Sequence, residues 1–319
     1  MDASEVARQF ALGGGARLSD GPVARGKQGV VWRLDTADGR WAVKVAFNES
    51  AEDEARLSAE FQEAAYVAGV PTPKVRRTTD GYVVADVGGR QVRVYEWVDL
   101  EAPDTALDPA LVGTVVARLH GVEVQDPRPV HPWYCEPVGA GRWDEVVEQA
   151  RAAGAPFAGR LAELRDELVA LEYWIEPPGT VRTCHRDLWA DNVLPTAGGG
   201  LCVIDWENSG SADPSQELAC VLFEFGRSDP GRARALIAAY HDAGGSGQVD
   251  RPGHFSMLIA QLGHITEMAA MDWSQPNHRS PDRADSNAWI SEVLDDPHTR
   301  RSLRELLDVA RAMTPRLGT

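Results

Sequence analysis

Cysteine is scarce in this sequence, and long apolar runs are missing. None of the four cysteines forms a Cys-x-x-Cys pair, so we expect reduced, buried thiols and no disulfide framework. No apolar run is long enough to cross a membrane, and no charged-then-apolar leader opens the chain. We therefore expect a soluble, cytoplasmic protein without a membrane partner.

Basic clusters and histidine pairs at metal-binding spacing are also missing. The chain has 32 Lys+Arg against 48 Asp+Glu, a net charge of −16, which would repel a phosphate backbone. Nucleic acid is therefore not an expected partner. None of the eight histidines has a partner at the spacing of a helical zinc site. With 43% hydrophobic residues, the chain can bury a large core shared by two lobes.

The most informative segment of the chain runs from His185 to Asp205. Phosphoryl transfer needs a carboxylate that takes the proton of the acceptor hydroxyl, and oxygen ligands for Mg²⁺. Asp187 fits the first role, while Asn192 and Asp205 fit the second. Two short apolar strands around the glycine turn at 198–200 would bring Asn192 and Asp205 to one end of a hairpin. A lone aspartate often only caps a turn, but the joint spacing is typical of kinases.

A nucleotide site needs a second half, and the upstream sequence offers one. Gly26 and Gly29 lie in a turn between two predicted strands, where glycine lets backbone amides approach phosphate. Lys44 interrupts an apolar strand, which is costly unless the lysine meets an anion. An edge-strand lysine that prevents aggregation is the alternative. We expect Lys44 to hold the α- and β-phosphates.

An acidic helix is predicted from Glu52 to Ala68, ahead of the Gly-Val-Pro-Thr-Pro stop at 69–73. Glu60 and Glu63 are both candidates to pair with Lys44. We favour Glu60, because its distance from the proline stop fits a kinase-like layout better. Glu63 fits a solvated helix face.

The order of these motifs resembles the aminoglycoside phosphotransferase family of small-molecule kinases, over about residues 20 to 240. The segments at 69–73, 94–98, 117–120 and 212–219 are similar to that family as well. The resemblance implies an α+β, two-lobed protein-kinase-like fold. Its antiparallel-sheet N-lobe would span residues 1–98 and its mainly helical C-lobe residues 99–319. A helical insertion at about 125–178 would wall the acceptor pocket.

The resemblance also implies the cofactors ATP and Mg²⁺. Adenine would lie between Ala42, Leu194 and Ile204, with its edge bonded to the backbone of Glu96 and Val98. Two positions depart from kinase patterns. Arg186 stands where small-molecule members usually carry glycine, and Asp205-Trp206-Glu207 replaces the Asp-Phe-Gly of protein kinases.

Spacing and charge limit the class of molecule that can be the acceptor. Asp205 and Asp213 are too close for the long activation segment of a protein kinase, which favours a small molecule. Residues 1–98 hold 13 Lys+Arg and 14 Asp+Glu, and residues 99–319 hold 19 and 34, so the net charges are −1 and −15. Such a field attracts a cationic, amine-bearing acceptor, although acidic surfaces also favour solubility. The candidate acceptor-contacting acids are Asp191, Glu207, Asp213, Glu217, Glu224, Glu267 and Asp272.

These observations predict an ATP-dependent O-phosphotransferase that acts on an aminoglycoside-type antibiotic or an amino sugar. A metabolic kinase for glucosamine, a choline-like amine or a macrolide is the alternative. A macrolide would need an apolar acceptor wall, and choline an aromatic cage. A catalytically idle nucleotide-binding module is a further alternative. A resistance or a metabolic role, and a monomer or a homodimer, are equally compatible with the sequence.

Overall fold

The computed structural model describes residues 1–26, 29–48, 51–274 and 283–313. Lys27 and Gln28 of the predicted glycine turn lie outside this part. Among the described helices, none is both long and apolar enough to span a membrane.

An antiparallel sheet of seven strands forms the first part of the described chain. The strands are β1 (Arg17–Leu18), β2 (Ala24–Arg25), β3 (Gly29–Thr36), β4 (Gly39–Ala46), β5 (Val75–Arg76), β6 (Ala85–Asp86) and β7 (Gln91–Glu96). Their main path is β1-β3-β4-β7-β5, with β2 beside β3 and β6 beside β7. The register places Lys44 of β4 directly opposite Arg93 of β7.

The two faces of this sheet differ because side chains alternate along a strand. Val43 and Val94 belong to the buried face, on which helix α1 (Ala3–Gln9) packs through Val6 and Phe10. Lys44 lies on the opposite, half-buried face. The hydrophobic pattern of β4 and β7 therefore turns the lysine away from the core of the sheet.

Helix α2 (Glu52–Val67) confirms the acidic helix predicted at 52–68. Three acids in its first turn suit the positive end of the helix dipole. Phe61 is fully buried and joins the main core of the following helices. Helix α2 therefore connects the sheet to the rest of the described molecule through apolar contacts.

Helices dominate the remainder of the described residues. They are α3 (Pro109–His120), α4 (Ala140–Ala152), α5 (Ala158–Glu172), α6 (Pro214–Gly226), α7 (Pro230–Asp242), α8 (Ser256–Ser274), α9 (Arg283–Asp295) and α10 (Arg300–Met313). Gly113 lets α3 approach α7 closely, since a Cβ there would lie 2.2 Å from the carbonyl oxygen of Leu236. Helices α4 and α5 both lie within the segment at about 125–178 that was expected to be helical. Their buried residues share a second core with α8 and α9.

Two small two-stranded antiparallel sheets separate α5 from α6. They are formed by β8 (Arg182–Cys184), β9 (Val193–Pro195), β10 (Leu201–Val203) and β11 (Gly210–Ala212). The predicted hairpin is confirmed as the antiparallel pair of β9 and β10, with Val203 opposite Val193. Strands β8 and β11 pair with Cys184 opposite Gly210, which brings the segment after Asp205 against the loop after Cys184.

The predicted α+β class is confirmed, with an antiparallel sheet followed by a mainly helical part. The division into lobes at 98/99 stays a prediction.

Candidate functional site

The carboxylate of Asp187 is held by two asparagine side chains. Asn192 donates from Nδ2 to the Asp187 Oδ2 at 2.9 Å and to its backbone oxygen at 2.9 Å. Asn208 donates from Nδ2 to the same Oδ2 at 3.0 Å. The loop therefore fixes the direction of the carboxylate. Sequence reasoning missed Asn208, and its place three residues after Asp205 was the available signal.

Asn192 and Asp205 meet at one end of the β9–β10 hairpin, as the sequence predicts. The backbone N–H of Ile204 donates to the Asn192 carbonyl at 2.9 Å. Because the amide nitrogen of Asn192 is committed to Asp187, its side-chain oxygen stays available on the same group. Amide and carboxylate oxygens are ligands that Mg²⁺ prefers. These two residues therefore fit the expected metal.

Lys44 joins the sheet to this hairpin. Its Nζ lies 2.7 Å from the Asp205 Oδ1 and 2.9 Å from the Glu207 Oε1, and its side chain is only 17% exposed. Burial alone would lower the pKa of Lys44, but the charges of Glu207 and Asp205 outweigh it and hold that pKa above its usual range. Lys44 is therefore a fixed positive charge beside the metal-ligand candidates.

The two carboxylates beside Lys44 respond in opposite directions. Burial and the neighbouring Glu207 raise the pKa of Asp205, in spite of Lys44. Burial opposes the charge of Glu207 as well, but Lys44 and Arg93 outweigh it and hold the Glu207 pKa below its usual range. Two close carboxylates that share one lysine would be relieved by a further cation, which agrees with Mg²⁺ at Asp205.

The expected pairing of Lys44 with Glu60 is corrected by this geometry. Glu60 instead accepts a hydrogen bond from Arg56 on its own helix at 2.8 Å, and its side chain is 39% exposed. Glu63 binds Arg77 at 2.8 Å. Glu207 takes the place expected of Glu60, because the turn after Asp205 lies directly below β4 and β7.

Arg186, whose role the sequence left open, braces the segment after Asp205. Its Nε donates to the Asn208 carbonyl at 2.6 Å and its Nη2 to the Ser209 carbonyl at 3.1 Å. The guanidinium lies 4.4 Å from the centre of the Tyr134 ring. Its backbone is left-handed, with φ of 67°, which glycine adopts without strain. An arginine at this position has a strained backbone, but its side chain makes hydrogen bonds and a ring contact that glycine cannot make.

The expectation that Asp213 and Glu217 contact the acceptor is corrected by the structure. Both residues make hydrogen bonds inside the protein instead. Asp213 is buried, caps α6 by accepting from the Ser215 N–H at 2.8 Å, and also accepts from the Gly179 N–H at 2.7 Å. Glu217 is 0% exposed, with its Oε2 2.8 Å from the His120 Nε2. A fully buried carboxylate in the core cannot reach an acceptor.

His120, Cys184 and Glu217 also place their ligand atoms within 4.8 Å of one another. Both ring nitrogens of His120 are engaged, since its Nδ1 lies 2.8 Å from the Tyr240 hydroxyl oxygen. We therefore assign this group to the core and not to a metal.

Three further acids have internal partners. Glu207 binds Lys44, Glu224 accepts from the backbone N–H of Ala190 at 3.0 Å, and Glu267 binds Arg142 at 2.6 Å. All three are half-buried, so their contact with the acceptor stays a prediction. Asp191 is exposed beside the catalytic loop, and Asp272 is half-buried near the end of α8. These two stay predictions.

The predicted nucleotide residues lie in or next to strands β2, β3, β4 and β7 and the β9–β10 hairpin. Gly29 must be glycine, since a Cβ would lie 2.4 Å from the Val45 carbonyl oxygen, and Gly26 donates to the Gly29 carbonyl at 3.0 Å. Glu96 donates its N–H to the Lys74 carbonyl at 2.9 Å, so its carbonyl is the atom left for an adenine edge. The adenine contacts stay predictions, and their candidates are half-buried Ala42, Val98 and Ile204 and buried Leu194.

An antiparallel sheet that places a lysine against the aspartate at the end of the β9–β10 hairpin is typical of a kinase-like fold. The model of the Phosphotransferase enzyme family, abbreviated APH, matches residues 22–252, and the chain belongs to this family.

The chain is also similar to curated relatives and to solved structures. Homoserine kinases of Pseudomonas aeruginosa strains are 32% identical over 185 residues, covering 54% of this chain and 55% of theirs. The chain thus spans about half the length of the curated relatives it matches.

Three solved structures share the fold. A spectinomycin phosphotransferase in complex with ADP and spectinomycin has a TM-score of 0.67 at 14% identity, covering 98% of this chain and 97% of its own. An aminoglycoside phosphotransferase from Alicyclobacillus acidocaldarius has a TM-score of 0.65 at 16% identity, covering 98% and 96%. A choline/ethanolamine kinase family protein from Mesorhizobium loti has a TM-score of 0.56 at 16% identity, covering 97% of both chains.

Proposed function

We propose that this protein transfers the γ-phosphoryl group of ATP to a hydroxyl of a small, amine-bearing molecule, with Mg²⁺ as the metal. The observation that carries the proposal is the placement of Asp187. Its carboxylate is oriented by Asn192 and Asn208, at the same hairpin end that sets Asp205 against Lys44. This is the set of groups that positioning and charge stabilisation in phosphoryl transfer require.

The roles follow from the chemistry of each group. Asp187 accepts the proton of the acceptor hydroxyl as its oxygen bonds to the γ-phosphorus, while the bond from that phosphorus to the departing ADP oxygen breaks. Lys44 contacts the α- and β-phosphates. Asn192 and Asp205 supply oxygen ligands for Mg²⁺, which neutralises phosphate charge when bound.

Two observations support an amine-bearing acceptor. Residues 99–319 carry a net charge of −15, which attracts cations over long range. The names of the matched proteins mention spectinomycin, aminoglycosides, choline or ethanolamine, and homoserine, all of which carry both an amino or ammonium group and a hydroxyl. An aminoglycoside-type polycation or an amino sugar is therefore our first choice of acceptor.

Homoserine is a second candidate, favoured by the 32% identity to homoserine kinases. It also carries a carboxylate, which needs a cationic partner in the pocket. The acidic field of the helical part favours a polyamine over such a zwitterion.

An ATP-depletion screen tests the proposal. It covers aminoglycosides, spectinomycin, amino sugars, homoserine, ethanolamine, choline and a macrolide, each with and without Mg²⁺. We expect Mg²⁺-dependent consumption of ATP with an amine-bearing alcohol and a phosphate ester as product. An acceptor response to the macrolide alone would contradict the amine preference.

Asp187→Ala is the matched variant for this screen. It should lower kcat by about 10²- to 10⁴-fold, the usual contribution of a positioned base. ATP binding should stay close to that of the wild type, because the proposed role of Asp187 concerns the acceptor hydroxyl and not the phosphates or the adenine. Near-wild-type turnover in this variant would refute the mechanism. ATP binding without transfer to any member of the panel would instead support an idle nucleotide-binding module.

A further inference from the structure

Two cations face one another on the half-buried face of the sheet. Lys44 and Arg93 are cross-strand partners, an arrangement that is unfavourable without an anion between them. Glu207 supplies the anion, because its Oε1 lies 2.9 Å from the Lys44 Nζ and 3.5 Å from the Arg93 Nη1. The Tyr95 hydroxyl lies 3.5 Å from the same oxygen. We name Lys44, Arg93, Tyr95, Asp205 and Glu207 the cleft cluster.

We propose that Glu207 is the positioning residue that holds Lys44 in place for the nucleotide phosphates, a role the sequence assigned to Glu60 of helix α2. This inference rests on the proposed function. It places the lysine's anchor in the Asp205-Trp206-Glu207 segment, beside the metal-ligand candidates.

Asp205 cannot fill this role alone. It also contacts Lys44, at 2.7 Å, but a carboxylate that binds Mg²⁺ shares or gives up its contact with the lysine. Glu207 keeps its contact, since Arg93 fixes it from the other side. Its side chain is only 13% exposed, so its ion pair with Lys44 is weakly screened by solvent.

Helix α2 contacts the same turn through apolar side chains and not through Glu60. The rings of Phe61 and Trp206 meet edge to face, with centroids 5.4 Å apart. Trp206 is buried and also packs against His185, at 4.8 Å between ring centroids. The buried tryptophan therefore sets the position of the next residue, Glu207, under β4 and β7.

The second oxygen of Glu207 sharpens the inference. Its Oε2 is buried and has no hydrogen-bond partner among the described residues. Such an atom is costly, so the residue is held by the charges on Oε1. If Oε2 were instead a metal ligand, loss of Glu207 would raise the Mg²⁺ requirement whether or not Lys44 is present. The experiment below distinguishes these two roles.

The experiment compares Glu207→Gln with Glu60→Gln, each in the wild type and in Lys44→Met. Binding of a non-hydrolysable ATP analogue is measured by calorimetry over a range of Mg²⁺ concentrations, with Tm recorded for every variant. Glu207→Gln should weaken nucleotide binding by about 10- to 100-fold, the effect of losing a buried charge-assisted contact. Glu60→Gln should stay within about twofold, as an exposed pair does. Glu207→Asp should recover part of the affinity.

The double variants decide whether Glu207 acts through Lys44. If it does, Glu207→Gln adds nothing further in the Lys44→Met background. An equal loss with and without Lys44, or a higher Mg²⁺ requirement that is independent of Lys44, would overturn the proposal in favour of a metal ligand. A loss in Glu60→Gln as large as that in Glu207→Gln would overturn it in favour of helix α2. Because binding is read without an acceptor, failure of phosphoryl transfer is a separate result.

Discussion

Glu207, whose side chain is 13% exposed, and fully buried Glu217 lie in neighbouring segments but differ in how their oxygens are partnered. Glu207 belongs to the cleft cluster, where two cations and two carboxylates crowd together and one oxygen has no hydrogen-bond partner among the described residues. Glu217 belongs to a core cluster of His120, Arg186, Glu217 and Tyr240. There one oxygen binds His120 and the other accepts from the Arg186 backbone N–H. A carboxylate whose two oxygens both have hydrogen-bond partners indicates a stabilising role. A carboxylate with one oxygen left without such a partner indicates a functional role.

Glu217→Ala should have the largest effect among the variants that test this comparison. It leaves the His120 Nε2 and the Arg186 N–H buried without partners, which should cost about 3–5 kcal/mol of unfolding free energy. Urea unfolding measures the loss. The protein that remains folded should bind ATP like the wild type. A stable variant with weakened ATP binding would remove the distinction between the two clusters.

Asn208→Ala should give a smaller, catalytic effect. It removes one of the two amide groups that orient Asp187, while Asn192 remains. We expect kcat to fall about tenfold, equivalent to about 1.4 kcal/mol, with little change in the KM for ATP. Steady-state kinetics with the acceptor found in the screen measure the split. An increase in the KM for ATP at unchanged kcat would show that Asn208 serves nucleotide binding instead.

A still smaller effect, on the dependence of unfolding free energy on pH, should distinguish the core cluster from the cleft cluster. Burial raises the pKa of Glu217, but its hydrogen bond and charge interaction with His120 outweigh this and hold the pKa below its usual range. The unfolded chain then binds the proton more readily, so this contribution is full above about pH 4.3, the ordinary glutamate value, and is lost as the pH falls through the lower folded value. Glu217→Gln should reduce the slope of stability against pH below about 4.3. An unchanged slope would contradict the assignment.

Local patterns predicted much of the fold. The β9–β10 hairpin was foreseeable because its strands, Val193–Pro195 and Leu201–Val203, flank a glycine turn, and the adjacency of Asn192 and Asp205 follows from it. Helix α2 was equally foreseeable from its acidic start and proline stop.

The partner of Lys44 was not foreseeable, because Glu60 and Glu207 are both glutamates at plausible places and only tertiary packing decides between them. The Trp206–Phe61 contact, which sets this packing, joins segments far apart in the chain. Glu217 was misassigned for another reason: a count of charges does not reveal burial. The apolar run that follows it, from Leu218 to Phe223, was the available signal of a buried helix.

The central claim is that the chain phosphorylates a hydroxyl of an amine-bearing molecule. Phosphorus NMR of the reaction with the best acceptor from the screen, beside an analogue that lacks the hydroxyl, tests it most directly. We predict a phosphate monoester signal that grows together with ADP for the alcohol and is missing for the analogue and for Asp187→Ala. Inorganic phosphate as the product of every reaction would contradict the claim.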